Sequence, residues 1–204
     1  MPDKQLRDEV VTIFVAGHET TAVLMTWLFY ILSQNSDWEQ RLSAETNGVL
    51  NGRLPNFADS SNFPNLRLAV DETLRLYPPV WITNRVSTAE DIVCGKHIPA
   101  GSIIGIPTYV VHRLPAYWPD PERFDPERFT PENSASRPRF AYMPFGGGPH
   151  QCIGNNFALL EAQMIFATIV QRYRLKLQTG HLKSLKPSLT LRSRDGIWMT
   201  VERR

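Results

Sequence analysis

The chain has 204 residues, of which 42% are hydrophobic, and a single domain of this size buries about 70% of its surface. Its net charge of +2 is close to neutral, so the composition indicates neither a nucleic-acid partner nor a strongly anionic one. Only two cysteines occur, which excludes a disulfide framework and is typical of a reducing compartment. We predict no apolar run of the roughly 20 residues needed to span a bilayer, so the chain as given is expected to be soluble and cytoplasmic.

The first predicted element is a long helix over residues 6–31. Its apolar residues recur at i, i+3 and i+4 spacing and also occupy other faces, so we expect burial on most sides. Residues 16–21, Ala-Gly-His-Glu-Thr-Thr, place an acid and hydroxyls inside this helix, where they cost stability. Polar residues that cost stability in this way are typical of functional sites. The alternative is a polar notch in the helix that is solvated by water. A zinc protease site is excluded because Ala22 stands four residues after His18, where a second histidine is needed.

Two further helices and a group of short strands are predicted next. The pattern indicates a helix over residues 38–50, and another over residues 65–77 that is bracketed by prolines at both ends. Residues 91–106 are typical of short strands joined by tight turns. The prediction for this part of the chain is therefore a helical framework that carries small sheets.

An irregular segment with little periodicity follows over residues 107–149, and it contains nine of the sixteen prolines. A loop of this length inside a compact domain needs an anchor. After it we predict a helix over residues 155–172 and terminal strands from Tyr173 onward. Asp195-Gly196 predicts a hairpin that either returns toward a pocket or turns in solvent.

The segment over residues 145–154, Phe-Gly-Gly-Gly-Pro-His-Gln-Cys-Ile-Gly, leads directly into the last predicted helix. Its glycines allow the backbone to lie against a flat, bulky group, and the start of a helix favours the thiolate anion that binds metal. A buried cysteine in a turn is the plain alternative. A zinc site is excluded because Cys94, the other cysteine, lies far away in a different element. One thiolate suits haem iron.

This loop resembles the haem-binding signature of the cytochrome P450 superfamily, the haem-thiolate monooxygenases. Phe145, Gly148, Cys152 and Gly154 occupy its fixed positions. The resemblance implies haem b with Cys152 as its axial thiolate ligand. The family usually has arginine, a donor to a haem propionate, where this chain has His150, and a histidine contact depends on pH.

A second resemblance concerns Glu72 and Arg75, which share one face of the predicted third helix. At this spacing an ordinary surface ion pair is the alternative. Pro126-Glu127-Arg128-Phe129, however, resembles the family segment whose arginine completes a Glu-Arg-Arg cluster. The resemblance implies that Glu72, Arg75 and Arg128 form a network that anchors the irregular segment.

The resemblance also assigns roles on the oxygen side of the haem. Ala16 and Gly17 would lie against the cofactor, and Glu19 and Thr20 would relay protons to dioxygen.

Further positions resemble the family more loosely. Arg85 matches a second propionate donor, and an exposed strand arginine is the alternative. Val80, Trp81 and Ile82 resemble a segment that contacts substrate, although they could equally belong to the core.

Together these resemblances imply a mainly α fold with small β-sheets, with residues 1–204 forming the C-terminal, haem-binding half of the cytochrome P450 fold. They imply a monooxygenase that inserts one oxygen atom of O2 into a small apolar organic substrate, with electrons from a separate reductase or ferredoxin and no nucleic-acid partner. Family members are about twice as long, so the N-terminal half would be missing, and an anchor there would make the protein membrane-bound. The alternatives are a non-catalytic haem-binding module, a thiolate-haem isomerase and an inactive truncated fragment.

Overall fold

The computed structural model describes residues 1–180 and 184–204. Its helices are α1 Asp3–Leu32, α2 Ser36–Leu50, α3 Pro64–Leu76, α4 Thr108–Val111, α5 Pro131–Ser134 and α6 Asn155–Val170. Its strands are β1 Thr83–Val86, β2 Asp91–Val93, β3 Lys96–Ile98, β4 Ile103–Ile106, β5 Tyr173–Leu177, β6 Leu185–Pro187, β7 Leu191–Ser193 and β8 Met199–Arg203. The predicted class, mainly α with small sheets, is confirmed.

The strands pair antiparallel in twos: within the described residues the sheets are β1–β4, β2–β3, β5–β8 and β6–β7. Thr83 lies opposite Ile106 in the first sheet, and Tyr173 lies opposite Arg203 in the third. Asp195-Gly196 does turn the chain, with Gly196 at φ 77°, but it joins β7 to β8, which belong to different sheets. The predicted hairpin at this turn is therefore wrong, because both flanking strands take partners from elsewhere.

The helix boundaries follow from capping and proline chemistry. α3 begins with Pro64, whose missing N–H costs nothing in the first turn. Glu45 of α2 accepts hydrogen bonds from the backbone N–H groups of Asn65 and Leu66, at 2.9 and 3.0 Å, which satisfies donors that the helix start leaves free. The helix ends where Tyr77 precedes two prolines, a position that disfavours helical backbone.

The core lies where the second half of α1 packs against α3 and α6. Trp27 and Leu28 of α1 are completely buried, and the indole of Trp27 stacks on the Tyr77 ring at a centroid distance of 4.3 Å. Phe166 of α6 stacks on Phe29 from the other side. This packing fixes the second half of α1 relative to the two helices that carry the remaining site residues.

The first half of α1 is exposed on all sides, so the prediction that this helix is buried on most sides is wrong for its first four turns. Ile13 is 71% exposed and Phe14 67% exposed. The expectation that no segment could cross a bilayer is also wrong by length and composition, since α1 passes that test. The complete burial of Trp27 and Leu28 inside the protein nevertheless assigns the second half of α1 to the core.

Candidate functional site

The cysteine loop is a compact turn just ahead of α6. The N–H of Cys152 donates to the carbonyl of Phe145 at 2.9 Å, and the N–H of Gln151 donates to the carbonyl of Gly148 at 3.1 Å. Gly148 has φ 71°, a left-handed conformation that side chains other than glycine rarely adopt. These constraints hold Cys152 at the end of a closed loop.

The thiol of Cys152 is exposed, so a cysteine buried in a turn is excluded. Gly154 is the N-cap residue of α6, and a Cβ added there would lie 3.9 Å from the cysteine sulfur, in ordinary van der Waals contact. Ile153 is fully exposed and Phe157 is 65% exposed. The thiol therefore lies on an apolar surface, next to the N-terminus of a helix.

Other residues assigned to the cofactor side take varied positions. The Phe145 side chain is partly buried and packs against the core, and its carbonyl, as described above, holds the loop closed. His150 is exposed in the same loop. Arg85 is exposed on β1, where its guanidinium donates to the neighbouring carbonyl of Asn84 at 2.9 Å. Both basic side chains are accessible to an acidic ligand group.

Glu72 and Arg75 form a completely buried ion pair and not a surface pair. Arg75 donates from Nε to Glu72 Oε2 at 2.7 Å and from Nη2 to Oε1 at 2.8 Å, so the contact is bidentate. Both side chains are 0% exposed. Burial raises the pKa of Glu72, and the hydrogen bonds from Arg75 oppose that shift.

Arg128 stands beside this pair but does not complete it by a hydrogen bond. Its Nε lies 3.7 Å from Glu72 Oε1, and its Nη2 donates to the carbonyl of Asp120 at 3.0 Å. Within the described residues Nε is buried without a hydrogen-bond partner. Arg128 therefore contributes charge to the cluster, while Arg75 provides its directional contacts.

The buried pair also holds the irregular segment in place. Arg75 donates to the carbonyls of His112 and Pro121, at 2.9 and 2.7 Å, and to that of Arg123 at 3.2 Å. Glu72 accepts from the N–H of Asp125 at 2.9 Å. The side chains of this pair thus make four hydrogen bonds to the backbone of the segment before the cysteine loop.

His112 also belongs to this network, although no sequence motif marks it. It is completely buried, its Nδ1 lies 3.2 Å from the carbonyl of Arg75, and its Nε2 accepts from the N–H of Met143 at 2.9 Å. Burial, together with the charges of Arg75 and Arg113, lowers its pKa to about 3. Neutral His112 therefore joins α3 to the approach of the cysteine loop.

Tyr142, next to Met143, makes another link to α3. Its hydroxyl lies 3.0 Å from both the carbonyl and a carboxylate oxygen of Asp71. Its ring stacks on His112 at a centroid distance of 5.3 Å. Burial and the nearby carboxylate raise the pKa of Tyr142 well above 10, so the phenol stays protonated.

The acid and hydroxyls in α1 are engaged in different ways. Thr20 donates its hydroxyl proton to the carbonyl of Ala16 at 2.6 Å. Glu19 accepts at Oε1 from the hydroxyl of Thr190 at 2.7 Å, and Arg192 lies 4.0 Å from the same oxygen. Gly17, like Ala16, is exposed. Sequence reasoning missed Thr190, since nothing in the alternating pattern of the terminal strands marks it.

The turn between β6 and β7 reaches α1 and the segment before β1. The Trp27 indole donates to the carbonyl of Leu191 at 2.7 Å, and the Trp81 indole donates to the carbonyl of Ser188 at 2.8 Å. The N–H of Leu191 in turn donates to the carbonyl of Pro79 at 2.9 Å. This turn, rather than the one at Asp195, lies beside the α1 acid.

The predicted substrate segment lies close to this turn. Val80 is 38% exposed, whereas Trp81 and Ile82 are half-buried. The segment is thus neither fully core nor fully surface.

The donors present fit a haem better than a bare metal ion. No group of three or more His, Cys, Asp or Glu side chains able to hold a metal was found within residues 1–180 and 184–204. A metal at Cys152 must therefore bring most of its own ligands, as iron in a porphyrin does. An exposed thiol on an apolar surface, with His150 and Arg85 accessible to acidic groups, matches that donor set.

Comparison with known proteins gives the family. The sequence matches the family described as Cytochrome P450 over residues 1–198. It is 41% identical to cyclooctat-9-en-7-ol 5-monooxygenase of Streptomyces melanosporofaciens over 176 residues, which cover 86% of this chain and 38% of that protein. It is 37% identical to putative cytochrome P450 132 of Mycobacterium tuberculosis over 203 residues, which cover 100% of this chain and 44% of that protein.

A solved structure agrees. The cytochrome P450DA heme domain superimposes with a TM-score of 0.94 at 30% sequence identity, covering 100% of this chain and 46% of that one. The chain spans less than half the length of these relatives, in agreement with the prediction of a C-terminal half. The resemblance drawn from the cysteine loop is confirmed, and the chain belongs to the cytochrome P450 family.

Proposed function

We propose that the protein is a haem-dependent monooxygenase that inserts one oxygen atom of O2 into a small apolar organic substrate. The observation that carries this proposal is the exposed thiol of Cys152, held on a closed glycine loop at the N-terminus of α6. Family membership supports the haem chemistry in general. The substrate, the electron donor and the activity of this chain by itself belong to the proposal.

On the cysteine side, Cys152 is proposed to hold the haem iron through its sulfur. The exposed apolar side chains of Ile153 and Phe157 would exclude water from a bound ring. His150 and Arg85 are proposed to bind the two propionates. When bound, the haem supplies the oxygen-activating chemistry, and the thiolate promotes O–O cleavage.

On the α1 side, Glu19 and Thr20 are proposed to deliver protons. The hydroxyl proton of Thr20 is committed to the carbonyl of Ala16, so the lone pairs of Oγ1 remain able to accept a hydrogen bond from an incoming donor. Glu19 holds Thr190 through Oε1, and its Oε2 is the proposed site from which a proton leaves. Ala16 and Gly17 would leave room for the ring beside α1.

The substrate and partners follow from the same site. Val80, Trp81 and Ile82 provide apolar contacts, which favour a small apolar substrate. A separate reductase or ferredoxin is proposed as the electron donor. We propose a cytoplasmic location for this chain and residues 1–204 as one partial domain of the fold. Membrane attachment through a preceding segment is the alternative.

The test is the absorption spectrum of the purified protein with added haem, reduced under carbon monoxide. A strongly red-shifted Soret band is expected for a thiolate ligand, and Cys152→Ala should abolish it. Cys94→Ala is the matched control, because it removes the other exposed cysteine and should leave the band unchanged. A band that survives in Cys152→Ala would contradict the assignment of the ligand.

A second candidate, a fragment that holds no haem by itself, is favoured by the exposed first half of α1. The relatives are more than twice as long as the matched region, and a missing part of the fold would leave this helix uncovered. No bound haem in the same experiment would support this candidate. Stoichiometric haem binding by the 204-residue chain would exclude it.

A further inference from the structure

We propose that Thr190 is a positioning residue that holds the Glu19 carboxylate in place for proton delivery. This inference rests on the proposed function, because it assigns a structural cause to the position of the proposed acid. It also assigns a role to the turn between β6 and β7, which the family match alone does not describe.

The first observation is the contact itself. Thr190 Oγ1 donates to Glu19 Oε1 at 2.7 Å, and Thr190 is only 3% exposed. Arg192 is a weaker candidate for the same task, because its side chain is 52% exposed and lies 4.0 Å from that oxygen. The short, buried hydroxyl contact therefore provides the directional restraint on the carboxylate.

The second observation is that the donor is itself fixed. The Trp27 indole, the Trp81 indole and the carbonyl of Pro79 each make one hydrogen bond to the turn, to Leu191 or Ser188. These three contacts come from α1 and from the segment before β1. These hydrogen bonds hold the turn, and with it the hydroxyl of Thr190, in one position. The contact with Glu19 therefore costs little additional conformational entropy of the turn.

The third observation concerns the freedom of the acid. The Glu19 side chain is 33% exposed, so burial alone does not restrict it to one rotamer. The hydroxyl of the neighbouring Thr20 donates its hydrogen bond to the carbonyl of Ala16, so it is not available to bind the Glu19 carboxylate. Loss of the Thr190 hydroxyl would thus release the carboxylate while leaving α1 intact.

The first measurement is a double-mutant cycle in thermal unfolding with Thr190→Val, Glu19→Ala and the double variant. Removing one hydrogen bond of average net strength should lower the Tm by about 2–4 °C in a protein of this size. The double variant should lose about 2–4 °C less than the sum of the singles, because the same contact is removed only once. Additive losses would overturn the proposal.

The second measurement is the ratio of hydrogen peroxide to oxygenated product with haem, O2, an electron donor and n-octane as an apolar probe substrate. Thr190→Val should raise this ratio by about fivefold, which corresponds to one hydrogen bond of about 1 kcal/mol. Thr190→Ser should restore the wild-type ratio, and Thr200→Val, an exposed threonine on β8, should not change it. Thr20→Ala serves as the positive control for peroxide release.

The two readouts separate the possible failures. An unchanged peroxide ratio together with a non-additive cycle would show that the contact is only structural, which overturns the positioning role. If the wild-type protein forms no product from any apolar probe, the proposed function fails. In that case the double-mutant cycle alone tests the contact between Thr190 and Glu19. Non-additive changes in Tm support this contact, and additive changes overturn it.

Discussion

Among single residues, His112 has only one protonation state that satisfies its surroundings. The carbonyl of Arg75 can only accept, so Nδ1 must carry the proton, and Nε2 must accept from the N–H of Met143. Protonation of Nε2 would place two donors face to face inside the protein. The neutral ring therefore fastens the approach to the cysteine loop onto α3.

This state makes stability depend on pH. Burial lowers the pKa of His112 to about 3, so between pH 6.5 and 3 the unfolded chain binds a proton that the folded protein does not. The contribution of neutral His112 to the free energy of unfolding is therefore complete above pH 6.5, and it decreases as the pH falls toward 3. Between pH 7 and pH 5 this residue should cost about 2 kcal/mol of unfolding free energy.

Urea unfolding at pH 7 and pH 5 measures the effect. His112→Gln removes the titration, so this variant should be less stable at pH 7 but should lose less stability on acidification than the wild type does. Exposed His97→Gln is the control and should follow the wild type. Equal pH slopes in wild type and His112→Gln would contradict the prediction.

Some site residues could be identified from the sequence and others could not. Cys152, Glu72 and Arg75 belong to short motifs whose partners lie within a few residues. His112 and Thr190 have partners 31 and 171 residues away, and no local pattern reports such a distance. Their roles depend on how the chain folds back on itself.

At the scale of elements, the segment over residues 107–149 takes its shape from α3 and not from its own periodicity. Apart from α4, α5 and short 3-10 turns it is irregular, and the side chains of Glu72 and Arg75 hydrogen-bond its backbone. The buried pair thus takes the place of a regular hydrogen-bond ladder. The cysteine loop follows this segment directly, so the attachment to α3 also fixes the position of the loop.

Removing the arginine should therefore be costly. Arg75→Ala removes both side-chain hydrogen bonds to buried Glu72, leaves Arg128 as its nearest cation at 3.7 Å, and takes the Arg75 donor from three backbone carbonyls, so unfolding free energy should fall by about 3–5 kcal/mol. Chemical denaturation measures this, and haem retention should fall with it. Arg41→Ala breaks a pair that is almost half exposed and should cost less than about 1 kcal/mol. Similar losses in the two variants would be incompatible with this account.

The boundaries of the four predicted helices agree with the structure to within three residues, because prolines and apolar spacing act locally. Strand existence was also predictable over residues 91–106. Strand pairing after Tyr173 was not, because β5 pairs with β8 and β6 with β7. The residue pair Asp195-Gly196 predicted a turn correctly, but these two residues carry no information about which strands pair on either side of it.

At the scale of the whole molecule, the main difference between prediction and structure is the burial of α1. The apolar pattern of this helix shows which faces avoid water, but it does not show whether a partner covers them. The second half is covered by α3 and α6, whereas Ile13 and Phe14 in the first half are exposed. An exposed apolar patch of this kind favours association.

We expect the isolated 204-residue chain to self-associate through this part of α1. Ile13→Glu and Phe14→Glu should each increase the monomer fraction in sedimentation velocity, because a charge makes burial of this face unfavourable. Ile103→Glu is the matched control: Ile103 is 75% exposed on β4, and its replacement should leave the association unchanged. A monomeric wild-type chain at all concentrations would refute the prediction.

The contacts of the β6–β7 turn also have a consequence in time. Glu19 is synthesised 171 residues before Thr190, and Trp27 is synthesised 164 residues before Leu191. At ribosomal rates of about 5–20 residues per second, roughly 10–30 s pass before either side chain meets its partner. The α1 acid therefore remains without its hydroxyl donor for this interval after its own synthesis, and a ribosome that stops before Thr190 releases a chain in which Thr190 cannot hold this acid.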